Sequence, residues 1–438
     1  MGGGNRNGGR RVYLSFVGCR LNQAEIERMG REFAAHGDSV ADDAAGADLI
    51  IVNTCAVTGE ATRKSRQMIR QASQATPEAR IVATGCYAQL SPAALAALPG
   101  VSQVIGNTEK DRLVELVSGG VPNNMPAYER EPIARDPLPP GTMGRTRAFV
   151  KIQDGCDNRC TFCVTTLTRG RGRSRPVEDI VEEVNLLVDM GYREVVLTGV
   201  HLGSYGHDWG GGFGLFELVR ALLLQTRIPR LRLSSLEPWD LTPDFFDLWT
   251  DGRLCPHLHL PLQSGCDATL RRMARRTTCA FFAALADAAR ARIPDLALTT
   301  DIIVGFPGET DAEFGQSLRF VEAVGFARLH VFPYSRRPGT AAARMPGQVS
   351  EAVKKVRKAR MLALSEQLWE AFQRQHIGRT FDVLWESARG ATPEGFIWSG
   401  LTGNYLRVIT TTPDELANTI TPTRLAAFGQ GGLVGVVA

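Results

Sequence analysis

Three closely spaced cysteines have the clearest capacity for chemistry in this 438-residue chain. Cys156, Cys160 and Cys163 follow an apolar stretch, and thiols this close in sequence can converge on one metal centre. A structural zinc site is closed by four protein ligands, and the neighbouring sequence has no fourth cysteine or histidine at matching spacing. Three thiolates on a four-iron cluster leave one iron open to a small molecule. The spacing therefore favours an iron–sulfur cluster that can pass an electron to a molecule bound at that iron.

A second group of three cysteines, Cys19, Cys55 and Cys86, is spread over the N-terminal part of the chain. Each comes just after a predicted strand, and amphipathic helical stretches separate the strands. Strands joined in this way run parallel, so their carboxyl ends meet at one edge of the sheet, about 5 Å apart. We therefore expect the three thiols to meet at one cluster, against the alternative of three unrelated core cysteines. The strands are predicted at 11–17, 48–53, 80–84 and 101–105.

The sequence divides into an N-terminal parallel-sheet α/β domain, a central barrel and a small C-terminal β-barrel. A proline-rich linker precedes the central domain, where strands alternate with helical stretches as six βα units, which predicts a partial (β/α)6 barrel. Short strands with glycine-rich turns predict a five-stranded barrel of oligonucleotide-binding type at the C-terminus. The domains are predicted at 11–120, 147–350 and 376–438, with the linker at 121–146 and a connecting helix at 351–375. The barrel strands are predicted at 148–153, 194–198, 231–234, 257–260, 297–304 and 328–332, and the C-terminal strands at 380–386, 395–399, 405–409, 416–422 and 432–437.

Composition predicts a cytoplasmic protein. The N-terminus lacks an apolar signal core, and no apolar run approaches the length of a membrane span. The nine cysteines are then expected to stay reduced, which favours metal ligation over disulfides. Cys255, Cys266 and Cys279 show no ligand spacing and are predicted to pack in the core or in loops. The net charge of +4 neither supports nor excludes nucleic-acid binding.

Basic residues are concentrated just after the central cysteines. This segment has no acidic residue and carries Arg169, Arg171, Arg173 and Arg175. Guanidinium groups beside a cluster can bind the phosphates of an RNA substrate, and a solvated basic loop is an equally good interpretation. The basic run at 271–276 is more simply a solvated helix face.

From residue 13 to residue 437 the chain resembles the methylthiotransferase branch of the radical S-adenosylmethionine superfamily. The spacing Cys-x3-Cys-x2-Cys is the signature of the superfamily, and two cysteine trios followed by a TRAM-like barrel match the architecture of the branch. The motifs at 53–58, 151–156 and 199–206 look like the type that acts on N6-threonylcarbamoyladenosine in tRNA.

The resemblance implies an enzyme with two 4Fe–4S clusters and S-adenosylmethionine as cofactors. The central trio would hold the radical-generating cluster, and the N-terminal trio an auxiliary cluster linked to sulfur delivery. A methylthio group would be added to C2 of the modified adenosine at tRNA position 37, 3′ of the anticodon, with two S-adenosylmethionine molecules used per turnover. The aromatic C2–H has no acidic proton and no leaving group, which makes a radical route reasonable.

The loops after the barrel strands are the predicted S-adenosylmethionine site, because active sites of such barrels lie at the carboxyl ends of the strands. Glycines there let the backbone approach a ligand, and polar groups can bind its amino, carboxylate and ribose groups. His201 and His259 are also predicted at the carboxyl ends of barrel strands, but a packing or capping role is favoured for each. The predicted contacts are Thr198, Gly199, Val200, Ser235, Glu237 and Gln263.

The predicted partners are a tRNA substrate and an external reductant of the flavodoxin or ferredoxin type. The resemblance does not identify the sulfur source and implies no membrane partner. Two related activities stay open, on isopentenyladenosine in tRNA and on an aspartate of a ribosomal protein. An RNA-binding protein with structural or redox-sensing clusters is the alternative from another class.

Overall fold

The computed structural model describes residues 9–119, 140 and 146–438, so most of the predicted linker lies outside the described residues. The N-terminal part is a parallel sheet with the strand order β2-β1-β3-β4-β5. Every residue of its central strand β3 is buried, as expected of a parallel strand covered on both faces. The strands are β1 (Arg11–Phe16), β2 (Ser39–Ala41), β3 (Leu49–Thr54), β4 (Arg80–Gly85) and β5 (Val101–Ile105). The helices are α1 (Arg20–Ala35), α2 (Gly59–Ala75), α3 (Cys86–Leu90), α4 (Pro92–Ala96) and α5 (Leu113–Ser118).

The central part is an open barrel of six parallel strands within the described residues. One sheet has the order β7-β6-β8-β9 and another has the order β10-β11-β12, and a bridge between Ser235 and His259 joins them. The strands are β6 (Ala148–Asp154), β7 (Arg173–Ser174, antiparallel to β6), β8 (Glu194–Gly199), β9 (Arg230–Leu233), β10 (His257–His259), β11 (Ala297–Val304) and β12 (Arg328–Pro333). The helices are α6 (Thr165–Arg169), α7 (Val177–Asp189), α8 (Leu215–Gln225), α9 (Asp267–Arg272), α10 (Cys279–Arg292), α11 (Asp311–Val324) and α12 (Glu351–Arg374).

The two faces of the barrel strands differ in character. On β11, Leu298 and Ile302 belong to the large apolar core that also contains Phe282 of α10. Because side chains alternate along a strand, Thr299 and Asp301 face the concave side. The barrel therefore has an apolar outer face under the helices and a polar inner face.

Helix α1 of the N-terminal part closes one side of the barrel. It packs against β6, and Ala24 forms a small apolar cluster with Phe149 and Val196. An ion pair of 2.9 Å between Arg31 and Glu183 of α7 fixes the same contact. The N-terminal sheet is thus docked directly on the barrel, which brings its cysteine-bearing edge toward the central cysteines.

The C-terminal part is a closed five-stranded barrel with the order β13-β14-β15-β17-β16. Trp385 is completely buried at its centre, and its indole N–H donates to Thr421 at 2.8 Å. The strands are β13 (Thr380–Thr392), β14 (Gly395–Thr402), β15 (Arg407–Thr412), β16 (Ile420–Gly429) and β17 (Gly432–Val437).

The structure confirms the predicted fold class in all three parts and corrects several strand bounds. The strands predicted at 405–409 and 416–422 begin later, because Tyr405 and Asn418 adopt φ angles of 64° and 55°, outside strand geometry. The short strands β2 and β7 were not predicted, since two or three residues carry no periodic pattern. Among the described helices, none is long and apolar enough to cross a bilayer.

A buried carboxylate joins the central and C-terminal barrels. Glu194 is fully buried and pairs with Arg232 at 2.7 Å and with Arg230 at 2.8 Å. The two guanidinium groups also donate to backbone carbonyls of Gly403 and Leu401 in the C-terminal barrel. Burial opposes ionisation, but the arginines outweigh it and lower the pKa of Glu194 to about 2.

We expect Glu194→Gln to destabilise the protein by about 3–5 kcal/mol, because it leaves two buried arginines without their counter-charge. Urea unfolding followed by circular dichroism measures the loss. The control is Glu182→Gln, an exposed residue of α7. Equal stability of the two variants would contradict the role assigned to Glu194.

Candidate active site

The central cysteines lie in the loop between β6 and α6. Gly155 precedes the loop with a φ of 74°, and a Cβ atom there would lie 1.8 Å from the carbonyl oxygen of Arg171. The Cys156 amide donates to the Gly170 carbonyl at 3.0 Å. Only glycine fits this close approach, which folds the loop back on itself so that its thiols face the top of the barrel.

Two of the central thiols contact polar side chains that lie outside the loop, one at the start of α6 and one just after α9. Arg275 donates to the Cys160 sulfur at 3.6 Å, and Thr165 contacts the Cys163 sulfur at 3.1 Å. Burial raises the pKa of the Cys160 thiol to about 11, although the Arg275 charge opposes the rise. Such a thiol stays protonated at neutral pH unless a metal takes the place of the proton. The trio therefore fits metal ligation better than a free reactive thiol.

A hydrogen-bonded shell surrounds Cys156. The side-chain Oε1 atom of Gln153 accepts from the Val200 and His201 amides at 3.1 and 2.9 Å, which ties β6 to the loop after β8. His201 pairs with Asp240 at 2.5 Å. Burial opposes the charged ring, but the hydrogen bonds to Asp240 and Cys156 raise the pKa of His201 to about 10. His201 is thus a buried, protonated neighbour of the thiol site.

The predicted cofactor residues all lie at the carboxyl ends of barrel strands. Ser235 is exposed, and Glu237 is held by Arg275 at 3.0 and 2.5 Å. Gln263 has a φ of 76°, a strained conformation for a residue other than glycine. Thr198 is buried, and Gly199 approaches the Gln153 backbone so closely that a Cβ atom would lie 3.1 Å from its carbonyl oxygen.

The N-terminal cysteines follow three adjacent parallel strands, β1, β3 and β4. Gly18 has a φ of 112°, and a Cβ atom there would lie 2.8 Å from the Cys55 sulfur. Burial raises the pKa of the Cys55 thiol to about 12, and the nearby Cys19 and Cys86 thiols raise it further. The glycine leaves room for three thiols to converge, and their chemistry again fits a metal centre.

Direct contacts join the two thiol sites. Helix α3, which begins at Cys86, packs against α6, which follows Cys163. Asn107 lies between them, since its amide nitrogen is 3.7 Å from the Cys86 sulfur and donates to the Thr168 carbonyl at 2.8 Å. The two cysteine trios therefore belong to one site at the contact of the N-terminal sheet with the barrel.

Arg169 is the central residue of that contact. Its guanidinium group pairs with Glu25 of α1 at 2.8 Å and with Asp154 of β6 at 3.0 Å, and it also donates to Asn22 at 2.9 Å. Lys110 pairs with Glu25 at 2.6 Å. Burial opposes ionisation of Glu25, but the two cations outweigh it and hold the pKa of Glu25 well below its usual range.

Two of the four arginines predicted to bind RNA are buried in the structure. Arg169 and Arg175 are buried, and Arg175 pairs with Glu183 at 2.7 Å, so neither guanidinium group can reach a phosphate. Arg173 is half-buried. The side chain of Arg171 is 94% exposed, which makes it the most accessible of the four.

The sequence did not predict several residues of the site. Arg275 lies in the run taken as a solvated helix face, yet it is buried against Cys160. The sequence could have indicated Gln153, because it stands three residues before Cys156 at the end of a strand. No sequence pattern indicates Asn107 and Lys110, since only the tertiary fold brings them to the thiols.

Two family models match the chain. Residues 150–321 match the Radical SAM superfamily, and residues 11–106 match Uncharacterized protein family UPF0004. Among solved structures, the radical S-adenosylmethionine methyltransferase TsrM from Kitasatospora setae superposes with a TM-score of 0.55 at 17% identity, over 74% of this chain and 73% of that one. This likeness concerns the fold alone.

Curated relatives are similar over nearly the whole chain. Threonylcarbamoyladenosine tRNA methylthiotransferase MtaB from Bacillus subtilis is 38% identical to this chain, over 97% of each chain. The protein of the same name from Thermotoga maritima is 39% identical, over 86% of each chain. The tRNA-2-methylthio-N(6)-dimethylallyladenosine synthase of Novosphingobium aromaticivorans is also 39% identical over 86% of each.

The fold and the paired thiol sites define a radical S-adenosylmethionine enzyme. Within that superfamily the chain belongs to the methylthiotransferase family, which the curated relatives show. Its cofactors are S-adenosylmethionine and iron–sulfur clusters of the 4Fe–4S type.

We expect truncation of Arg169 and of Arg171 to affect different properties, the free energy of unfolding in the first case and RNA binding in the second. Arg169→Ala removes a buried counter-charge of Glu25 and Asp154 and lowers the free energy of unfolding by about 3–5 kcal/mol. Arg171→Ala changes stability by less than about 0.5 kcal/mol, because its side chain is exposed, and weakens RNA binding. Urea unfolding and filter binding measure the two quantities. A stable Arg169→Ala protein with weakened RNA binding would contradict this assignment.

Proposed function

We propose that this enzyme adds a methylthio group to C2 of N6-threonylcarbamoyladenosine at position 37 of tRNA, 3′ of the anticodon. The observation that carries the proposal is that Asn107 and Arg169 join the segments that carry the two cysteine trios. A radical-generating site alone needs one trio. A second trio beside it, in which Cys55 and Cys86 are buried, suits a reaction that must also deliver sulfur to the same substrate.

The residues would divide the work between two clusters. Cys156, Cys160 and Cys163 would hold the cluster that binds S-adenosylmethionine, and Cys19, Cys55 and Cys86 the auxiliary cluster. When bound, these groups supply a carbon radical, a sulfur atom and a methyl group, with two S-adenosylmethionine molecules per turnover.

Protein side chains would position these groups and keep water away. Arg275 places a positive charge beside Cys160 and fixes Glu237 at the top of β9. Gln153 fixes the loop after β8, whose backbone lines the predicted cofactor site together with Thr198, Gly199, Val200, Ser235 and Gln263. Arg171 is an exposed cation close to the central loop and would contact the RNA backbone.

The choice of substrate rests on the relatives. Those named for threonylcarbamoyladenosine cover up to 97% of the chain, which favours this nucleoside over the dimethylallyl type. A tRNA substrate places the reaction in the cytoplasm, with an external reductant of the flavodoxin or ferredoxin type.

The experiment is mass spectrometry of tRNA nucleosides from a strain that lacks the gene. We expect 2-methylthio-N6-threonylcarbamoyladenosine to be absent and to return with the wild-type gene but not with Cys55→Ala or Cys156→Ala. Loss of a dimethylallyl-type product would contradict the substrate and keep the chemistry. No change in any nucleoside would contradict the proposed function.

The two cysteine variants also differ from each other in vitro. Cys156→Ala should lose reductive cleavage of S-adenosylmethionine, because an open iron needs its cluster held by three thiolates. Cys55→Ala should retain part of that cleavage and lose methylthio transfer. Cys279→Ala, a half-buried cysteine outside both trios, is the control. Unchanged cleavage in Cys156→Ala would contradict the assignment of the central trio.

A further inference from the structure

Two histidines and an aspartate, none of them part of the cysteine trios, converge on the concave face of the barrel. His259 ends β10, Asp301 lies on β11 and His330 lies on β12. In the β11–β12 register Asp301 is the direct neighbour of His330. Neighbouring residues of these strands, Leu258 and Leu329, pack in the outer core, so the three polar side chains point inward.

The distances among the three side chains match those of metal ligands. The His259 Nε2 atom is 3.3 Å from the Asp301 carboxylate, and the His330 Nδ1 atom is 3.4 Å from the same oxygen. Charge-assisted hydrogen bonds are shorter, about 2.7–2.9 Å. Ligands about 2.0–2.1 Å from a tetrahedral zinc ion are separated by about 3.3–3.4 Å. All three ligand atoms lie within 4.8 Å of one another.

A neighbouring hydroxyl sets the orientation of His259. The Thr299 Oγ1 atom is 2.9 Å from His259 Nδ1 and donates to the Leu258 carbonyl at 3.3 Å. The same hydroxyl is 3.1 Å from the Nε2 atom of His257, so it lies between two imidazoles, and the Nε2 atom of His259 faces the Asp301 carboxylate. This arrangement is the one that outer partners impose on metal-binding imidazoles.

One side of the cluster is open. The His330 side chain is 51% exposed and that of Asp301 is 25% exposed, whereas that of His259 is 11% exposed. The rings of His259 and His330 stack at 5.3 Å, which fixes both nitrogens relative to the carboxylate. An ion bound here would keep at least one coordination position toward the open side.

We propose that His259, Asp301 and His330 form a binding site for one divalent transition-metal ion of the zinc class. Two imidazoles and one carboxylate are a ligand set that suits zinc, and three protein ligands leave the fourth position for an oxygen donor. That donor is water in the resting protein and can be a carboxylate or carbonyl oxygen of a bound substrate. None of its three ligands is one of the six cysteines, so zinc occupancy can be measured separately from the proposed function.

The test uses the full-length protein with its iron–sulfur clusters reconstituted, equilibrated with Zn²⁺ and dialysed. We expect one zinc per chain in addition to cluster iron, measured by elemental analysis. His330→Ala and Asp301→Asn should each weaken zinc binding at least tenfold. His207→Ala, an exposed histidine outside the barrel's concave face, should retain it.

X-ray absorption at the zinc edge distinguishes the two places where zinc could bind. A shell of nitrogen and oxygen at about 2.0–2.1 Å supports the proposal, whereas sulfur at about 2.3 Å means that zinc has entered a cysteine site and overturns it. Absence of bound zinc, or equal binding by His330→Ala and the wild type, also overturns it. Nucleoside analysis of the same variants is a separate readout of the proposed function.

Discussion

The buried ion network around Arg169 is the constraint on which the paired thiol sites depend. Arg169 belongs to the segment that follows the central cysteines, whereas Glu25 belongs to the helix that follows Cys19. A buried guanidinium group without its carboxylates would be strongly destabilising, so the contact fixes both segments together. Because each segment is only a few residues from a cysteine of one trio, the ion pair also sets the spacing between the two thiol sites. A buried ion pair is weak support for stability as such, and its role here is geometric.

The rest of the site depends on the concave face of the barrel. Helices cover the outer face with apolar side chains, and α1 closes one side of the interior through Ala24. Glu194 and its arginines attach the C-terminal barrel through backbone carbonyls, far from the cysteines along the strands. The cysteine trios and the His259 cluster are therefore two polar regions of one folded structure, and apolar packing lies behind both.

Sequence reasoning was most successful where chemistry follows from connectivity. Cysteines after β1, β3 and β4 had to share one sheet edge, because strands joined by helices run parallel. It failed where charge had to be interpreted without tertiary partners. Arg169 reads as a surface residue in sequence, and its partner Glu25 is 144 positions away. Arg275 is 115 positions from the Cys160 sulfur that it contacts. Burial of a charged side chain is a property of the packed fold, and no local pattern encodes it.

The most direct test of the account is a measurement of the magnetic interaction between the two proposed clusters. Electron paramagnetic resonance of the dithionite-reduced, reconstituted protein would be compared with the spectra of Cys55→Ala and Cys156→Ala, each of which retains one site. Because Asn107 contacts the Cys86 sulfur and the segment that follows Cys163, we predict line broadening and faster spin relaxation in the wild type than in either variant. A wild-type spectrum equal to the sum of the two variant spectra would contradict the claim that the cysteine trios form one site.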